Sequence, residues 1–317
     1  MQHIPICFTF NSNYLVGGSV AIFSLLKNAN PSYYYDLHII HSDISKKGQN
    51  GLMAIVNKFP NASLEFKEVD YFADSWDNLE NKAHFSKETF NKIILSRIFP
   101  QYDRILVSDV DILFLKDISP SYFLFPDEFF YYAGVSNILE VAMSDQYKVN
   151  FSKEEMTLLQ KGICCGYLLV NLKCIRERSK DDELIDFYSN NLNRLVLVEQ
   201  DLINISAYPH IKYMPFTYGV YPFFYKLNKN AISFNTAIDI EKPEAQFEDL
   251  LRSPVLLHYI GPLKPWNSFF RGKQGIWFRY LIEGDLFMYY LRKLPAALNK
   301  RLKRYSIKRF IRKIFKK

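Results

Sequence analysis

Long apolar runs, flexible linkers and internal repeats are all missing from this chain of 317 residues. No stretch of about 18 apolar residues occurs, so we expect no transmembrane helix. The opening MQHIPICFTF has no basic region and is typical of a strand, which argues against a signal peptide. A chain of this length without a linker predicts one large domain or two closely packed halves.

Cysteine is scarce, and the spacing of the four residues matches neither a zinc site nor a disulfide framework. The four cysteines, Cys7, Cys164, Cys165 and Cys174, form no CxxC pair and have no histidines at metal-binding spacing. We therefore expect neither a zinc site nor a disulfide framework. A reducing, cytosolic compartment is the simplest inference, because disulfides persist mainly where conditions are oxidising.

Positive charge is concentrated at one end of the chain. Of 40 Lys and Arg residues, twelve lie between Arg292 and Lys317, where no acidic residue occurs. The rest of the chain contains 28 Lys and Arg and 33 Asp and Glu, so it is mildly acidic. The tail alone makes the whole protein basic. A polybasic end indicates contact with an anionic surface, either membrane or nucleic acid.

Strand patterns alternate with helical patterns through the first part of the chain. The predicted strands there are 4–10, 35–41, 63–69 and 104–116. The predicted helices are a segment ending near Lys27, then 51–58 and 86–99. This alternation predicts an α/β fold with a mostly parallel, Rossmann-like central sheet flanked by helices, in which ligands bind beyond the carboxyl ends of the strands.

The pattern is looser in the second part. We predict strands at 131–136 and 166–172, a charged helix at 173–190 and a shorter helix that opens at 199–201. The segment 214–226 is rich in Tyr and Phe and also contains proline and glycine. Its aromatic side chains either line a binding loop or belong to the core.

Two carboxylates interrupt the apolar segment RILVSDVDILFLK at 104–116. Asp109 and Asp111 are two positions apart, so they share one face of a strand. Burying each without a partner costs several kcal/mol, and hard oxygen ligands of this kind suit Mg²⁺ or Mn²⁺. The alternative is a strand that ends at Ser108, followed by a solvated turn that holds both.

A second polar group follows the apolar strand in VLLHYIGPLKPW at 255–266. His258 alone is typical of a buried core histidine. Gly261 and Lys264 after it favour a phosphate-binding loop, because glycine permits close backbone approach and lysine supplies a positive charge.

The order of NSNY, SDVD, CCGYLLVNL, EQDLIN and HYIGPLKPW resembles glycosyltransferase family 8, particularly the bacterial lipopolysaccharide and lipooligosaccharide sugar transferases. The resemblance spans about residues 4–266, and the DxD together with HxxGxxKPW is its most specific part. It implies a GT-A fold and a retaining transferase that uses Mn²⁺, with Mg²⁺ as an alternative, and a UDP-hexose donor. It also implies a lipid-linked oligosaccharide acceptor.

The resemblance also assigns residues. Asp109, Asp111 and His258 would hold the metal, and Gln200 and Glu199 would lie near the reacting sugar. Further donor contacts would come from Asn11, Asn13, Tyr14, Lys92, Asp109, Val110, Gly261 and Lys264. Additional substrate contacts would come from Asn137, Cys164 and Cys165.

Five positions depart from the usual family pattern. Asn11, Asn137 and Glu199 stand where Asp is usual, Lys92 stands where Arg is usual, and Cys164 stands where Asn commonly contacts the sugar. Asn still offers a carbonyl oxygen to uracil, whereas Lys loses the bidentate geometry of Arg. The choice between glucose and galactose therefore stays open, as does the choice between front-face and double displacement.

We expect a catalytic domain over 1–270, with a nucleotide-binding half at about 1–118 and an acceptor half at 119–270. A basic helical tail over 271–317 has the amphipathic spacing of a helix that lies in a membrane interface. The expected location is the cytoplasmic face of the bacterial inner membrane, as a peripheral protein. A solvated or disordered tail is the alternative.

Two rival functions remain at this point. The chain could be a nucleotide-sugar-binding protein that has lost turnover, although it retains every implied metal ligand. It could also be a nucleic-acid binder, but that is unlike its acidic body, because such proteins usually spread basic residues over a folded face.

Overall fold

A computed structural model describes residues 1–69, 87–137, 145–226, 243–268 and 272–292. Within these residues, seven strands form a large sheet and two form a small one. The strands are β1 (Gln2–Thr9), β2 (Tyr33–His41), β3 (Ala62–Glu68), β4 (Arg104–Ser108), β5 (Ile112–Phe114), β6 (Tyr132–Ser136), β7 (Ile163–Asn171), β8 (Ile211–Tyr213) and β9 (Leu256–His258).

The large sheet has the order β3-β2-β1-β4-β7-β6-β8, and β5 pairs with β9 in the small sheet. Strands β1 to β4 are mutually parallel where they pair, and β8 is parallel to β6. Only β7 runs against its neighbours in the large sheet, β4 and β6. The prediction of a mostly parallel α/β sheet is therefore confirmed.

Helices cover both faces of the large sheet. They are α1 (Leu15–Lys27), α2 (Lys46–Val56), α3 (Leu95–Ile98), α4 (Ser119–Tyr122), α5 (Asp145–Asn150), α6 (Lys153–Gln160), α7 (Leu172–Glu177), α8 (Lys180–Asn191), α9 (Val198–Ser206), α10 (Pro243–Arg252) and α11 (Gln274–Glu283). None of these described helices has the length and hydropathy needed to span a bilayer.

The core has two layers because side chains alternate across the strands. In β1, Ile6 and Phe8 belong to one buried cluster, whereas Cys7 belongs to the cluster on the other face. A strand that is buried on both sides reads as a continuous apolar run, which is why β1 and β4 were recognisable in the sequence.

Several predicted bounds differ from the observed ones. Helix α2 begins at Lys46 rather than at 51, because Ser45 caps it by accepting the N–H of Gly48. The helix predicted at 86–99 is wrong in type, since the described part is a 3-10 helix (Lys87–Ile93) followed by the short α3. A regular α-helix with Phe90 and Ile93 inside turns position 92 away from the core, whereas Lys92 is fully buried.

The helix predicted at 173–190 is two helices, α7 and α8. Ser179 lies between them with φ of 48°, a left-handed conformation that ends α7. The acidic residues Asp181, Asp182 and Glu183 then occupy the first turn of α8, where negative charge is favourable.

The segment 104–116 is not the single strand that we predicted. Strand β4 ends at Ser108, and β5 begins only at Ile112. The three residues between them carry the chain from the large sheet to the small one, because β4 pairs with β1 and β7 whereas β5 pairs with β9. The alternative placed the strand end correctly, but the turn is only partly solvated, since the Asp109 side chain is 33% exposed and the Asp111 side chain only 11%.

Candidate active site

Three segments meet at the edge of the sheet where β1 and β4 end. These strands are parallel neighbours, with Phe8 opposite Ser108, so the residues that follow them emerge side by side. Strand β7 is antiparallel to β4, with Tyr167 opposite Ser108, so the first residues of β7 reach the same edge. The carboxyl ends of strands are the usual ligand-binding edge of such a sheet.

Asp109, Asp111 and His258 lie together at this edge. One nitrogen or oxygen atom of each lies within 4.8 Å of the others. The pairing of β5 with β9 sets Ile112 opposite His258, which brings Asp111 beside the imidazole. Asp109 is fixed by its own N–H, which donates to the carbonyl of Gly166 at 2.8 Å. The structure therefore brings together the three residues predicted as metal ligands.

Two basic side chains flank Asp111. His258 Nε2 is 3.2 Å from Asp111 Oδ1, and the Lys264 ammonium donates to Oδ2. Burial opposes ionisation of Asp111, but Lys264 and His258 outweigh it and lower the pKa of the carboxyl. Burial also disfavours the charged imidazole, yet Asp111 raises the pKa of His258 to about 10.

One oxygen of Asp111 is left without a donor. Oδ1 is buried and has no hydrogen-bond partner among the residues that the structure describes, although His258 Nε2 lies 3.2 Å from it as an ion-pair neighbour. A buried carboxylate oxygen without a partner needs an explanation. Two carboxylates and an imidazole that converge on one point fit a divalent cation, so the three residues form a candidate metal site.

Lys92 connects the metal site to helix α9. Its ammonium is 2.7 Å from both Asp109 Oδ1 and Glu199 Oε1, and it donates to the carbonyl of Cys165 at 3.0 Å. Burial disfavours the Lys92 cation, but Asp109 and Glu199 outweigh burial and raise the pKa of the ammonium. This pairing allows a fully buried lysine to remain charged.

Glu199 keeps a second oxygen available. Its Oε2 is buried and has no hydrogen-bond partner among the described residues. Burial raises the pKa of Glu199 to about 7, although Lys92 opposes the shift. Asp201, in the same first turn of α9, accepts the N–H groups of Val196 and Leu197.

The other predicted sugar contacts differ in what surrounds their side chains. Gln200 is half-buried and accepts the N–H of Cys165 at 3.2 Å, so its amide faces the start of β7. The side chain of Cys165 is buried in the core, whereas Cys164 Sγ lies 3.9 Å from His258 Nδ1. Asn137 donates its amide to Leu159 O at 3.3 Å, at the far end of α6.

The NSNY segment forms a short 3-10 helix, Ser12–Tyr14, directly after β1. Asn11 caps it by accepting the N–H of Asn13 at 3.1 Å. Asp43, which follows β2, accepts both the N–H and the hydroxyl of Ser12 at 2.7 Å. Tyr14 packs edge-on against Trp266, with ring centroids 6.2 Å apart. The predicted nucleotide-binding turn is thus anchored from two other segments.

The loop after β9 brings Lys264 back to the metal site. Gly261 has φ of 83°, a conformation that favours glycine and turns the chain sharply. Asn267 then accepts the Lys264 N–H at 2.7 Å, and the ammonium also donates to Tyr259 O at 3.0 Å. Val110 is buried in the turn between the two Asp residues.

Two neighbours of the site, Gly166 and Asp43, were missed in the sequence, and a third, Tyr221, belongs to the aromatic segment 214–226, for which a binding loop was one of two alternatives. A Cβ atom on Gly166 would lie 2.1 Å from His258 Cε1, so the imidazole occupies the space above this glycine. The Tyr221 ring centroid is 5.7 Å from that of His258, and Asp43 holds the nucleotide-binding turn. Only Gly166 carried a local signal, since glycine inside a strand indicates close approach of another group.

The sequence model of Glycosyl transferase family 8 matches residues 5–269. This chain belongs to glycosyltransferase family 8. General stress protein A of Bacillus subtilis (strain 168) is 23% identical over 278 residues, which are 84% of this chain and 88% of that protein. Lipopolysaccharide 1,3-galactosyltransferase of Salmonella typhimurium is 20% identical over 273 residues, 83% of this chain and 73% of that protein. The chain is therefore a glycosyltransferase by family.

Solved structures show the same fold. The bifunctional glycosyltransferase WbbM matches with a TM-score of 0.74 and 20% identity over 92% of this chain, which spans only 52% of WbbM. The galactosyltransferase LgtC, solved with donor and acceptor sugar analogs, matches with a TM-score of 0.66 and 18% identity over 87% of this chain and 95% of LgtC. The GT-A-like fold expected from the sequence is confirmed.

Proposed function

We propose that this glycosyltransferase moves glucose or galactose from a UDP-sugar to a lipopolysaccharide or lipooligosaccharide core acceptor, with retention of the anomeric configuration and with Mn²⁺ as its metal. The observation that carries the proposal is the convergence of Asp109, Asp111 and His258, with one buried oxygen of Asp111 unpaired among the described residues. The name of the Salmonella relative supports the acceptor class.

The metal ligands suit a diphosphate donor. Two carboxylates and an imidazole fit Mn²⁺, and Mg²⁺ is the alternative. A bound divalent ion supplies neutralisation of the negative charge that develops on departing UDP. Lys264, in the loop that turns at Gly261, is the protein cation beside Asp111 and would contact the same phosphates.

Different residues are the proposed contacts of the nucleotide and of the sugar. Asn11 and Tyr14, in the turn after β1, are the proposed contacts of the uracil base, and Asn13 supports that turn. Glu199 Oε2, buried and unpaired within the described structure, is suited to accept a sugar hydroxyl. Gln200 lies on the next residue of α9 and would support the anomeric centre.

The displacement could take either of two routes. No carboxylate nucleophile is implied by the resemblance, which favours a front-face reaction in which an oxygen of departing UDP helps to deprotonate the incoming hydroxyl. A double displacement would need a side chain to form a covalent sugar adduct. Lys92 holds Asp109 and Glu199 in ion pairs, which makes either one a poor free nucleophile.

A non-catalytic nucleotide-sugar-binding protein is the rival proposal. A turnover assay distinguishes the two proposals, because slow hydrolysis of the donor without acceptor requires a catalytically active site. We would incubate the full chain with Mn²⁺ and a panel of UDP-sugars, and we expect UDP release from UDP-glucose or UDP-galactose.

The metal requirement is tested with Asp111→Asn. This change removes a charged ligand, so Mn²⁺ binding and UDP-sugar hydrolysis should both fall to near background, and EDTA should do the same to the unaltered protein. The matched control is Asp145→Asn, because the Asp145 side chain is 99% exposed. Full activity of Asp111→Asn in metal-depleted buffer would refute the proposed site.

A further inference from the structure

Each nitrogen of the His258 ring faces a different partner. Nε2 lies 3.2 Å from Asp111 Oδ1, on the side where the candidate metal ligands converge. Nδ1 lies 3.9 Å from Cys164 Sγ, within the range of a hydrogen bond to sulfur. The ring packs against Gly166, where no Cβ would fit, and this contact restricts the orientation of the ring plane. The orientation of the imidazole is therefore set by Cys164 and Gly166 together.

Strand geometry explains why Cys164 reaches the histidine and Cys165 does not. Successive side chains of β7 point to opposite faces, so Cys165 enters the core while Cys164 faces the site. The Tyr221 ring packs beside the imidazole on this side, with ring centroids 5.7 Å apart.

A histidine that binds a metal through one nitrogen needs a proton on the other. That N–H almost always donates to a fixed acceptor, which selects the tautomer and orients the ring. Sulfur is a weak acceptor. In a strand the backbone fixes the direction in which the cysteine side chain points, and so fixes the position of the sulfur. At His258 the acceptor must face Nδ1, and Cys164 Sγ occupies that position.

We propose that Cys164 is a positioning residue for the metal site: its Sγ accepts the Nδ1–H of His258 and so leaves the Nε2 lone pair for Mn²⁺. The proposal rests on the proposed function, because it requires that His258 is a metal ligand. It gives Cys164 a different role from the sugar contact that the resemblance implied.

The test measures Mn²⁺ binding to the full chain without any sugar donor, from the loss of the free-ion electron paramagnetic resonance signal. Cys164→Ala and Cys164→Ser differ by one oxygen atom, so only the second retains an acceptor. We expect Cys164→Ala to bind Mn²⁺ about 10–100-fold more weakly than the unaltered protein, and Cys164→Ser to recover part of this loss. Cys174→Ala, at a half-buried position on α7, is the control and should bind normally.

Two results would overturn the proposal. One is a Cys164→Ala affinity within twofold of the unaltered protein, and the other is equal weakening in Cys164→Ala and Cys164→Ser. Thermal unfolding of each variant identifies any loss that comes from misfolding, and only variants with the original midpoint enter the comparison. Failure of the proposed function is distinct, because the unaltered protein itself would then bind no Mn²⁺.

Discussion

At position 166 there is no room for a methyl group. A Cβ atom there would meet three atoms of the His258 ring, the nearest at 2.1 Å. Real Cβ atoms do not approach this closely, so either the imidazole or β7 must move. Because the Gly166 carbonyl also accepts the N–H of Asp109 at 2.8 Å, this residue supports two of the three candidate metal ligands.

We therefore predict that Gly166→Ala displaces His258 and weakens Mn²⁺ binding at least about tenfold. Gly51→Ala is the matched control, because Gly51 is exposed on α2 and a Cβ there meets nothing within 4 Å. That substitution should stabilise the protein by about 0.5–1 kcal/mol and leave metal binding unchanged. Calorimetric titration with Mn²⁺ measures both variants, and normal binding by Gly166→Ala would contradict the prediction.

At the scale of a single element, helix α6 is fastened by its first turn. Ser152 Oγ accepts the N–H of Glu155 at 3.2 Å, and Glu155 Oε2 accepts the N–H of Ser152 at 2.9 Å. This reciprocal capping box satisfies two donors that would otherwise have no partner at the helix start. Arg194 binds both oxygens of Glu155, which joins α6 to the segment that follows α8.

We predict that Ser152→Ala lowers the free energy of unfolding by about 1 kcal/mol, because the cap is lost while the helix interior is untouched. Urea denaturation of the full chain gives this difference. In Ser189→Ala the removed hydroxyl belongs to an exposed residue in the last turn of α8, where it donates to Ile185 O of the same helix. The change in that control should stay within about 0.5 kcal/mol, and an equal loss in both variants would count against the capping role.

At the scale of the whole molecule, the excess of positive charge lies at the end of the chain, between Arg292 and Lys317. Of the predicted tail, 271–317, the structure describes 272–292, and the polybasic remainder lies outside the described residues. The described part exposes four apolar side chains, Ile282, Phe287, Met288 and Leu291. We propose that these residues and the tail together hold the enzyme at an anionic membrane, close to a lipid-linked acceptor.

Removal of Arg292 to Lys317 tests this proposal. Each basic residue near an anionic surface contributes about 1 kcal/mol, so the loss of twelve should abolish sedimentation with phosphatidylglycerol vesicles. The truncated protein should still hydrolyse UDP-sugar with Mn²⁺, since the described site residues all precede position 292. Neutral phosphatidylcholine vesicles are the control. Equal binding of both proteins to anionic vesicles would rule out the tail as the anchor.

Local patterns predicted the fold class well. Strands β1, β2 and β4 and helix α1 were recognisable because most of their residues are buried, and burial leaves a continuous apolar signature in the sequence. In strand β3 only Leu64 is buried, and its signature is the alternation of apolar and polar residues. The helices of 87–98 and 172–191 were predicted less well. The first contains the buried Lys92, and the second is interrupted by Ser179 in a left-handed conformation. No local sequence pattern predicts either feature.

The candidate site shows the same division. The DxD and HxxGxxKPW segments predicted Asp109, Asp111 and His258 as metal ligands, and the structure brings these three candidates together. The family match supports the class of enzyme. The partners of these residues were not predictable. Lys92 pairs with Glu199 and Cys164 faces His258 across large separations in the chain, so no spacing rule reports them.

The sequence by itself determined which segments are apolar, where the charged residues interrupt them and which family the chain resembles, because composition and periodicity are local properties. Only the tertiary structure decided that β4 stops at Ser108, that β7 runs antiparallel beside it, and that β5 pairs with β9. Strand pairing is a choice between distant segments that compete for the same hydrogen bonds. That choice is what brings two carboxylates, an imidazole and a thiol to one edge of the sheet.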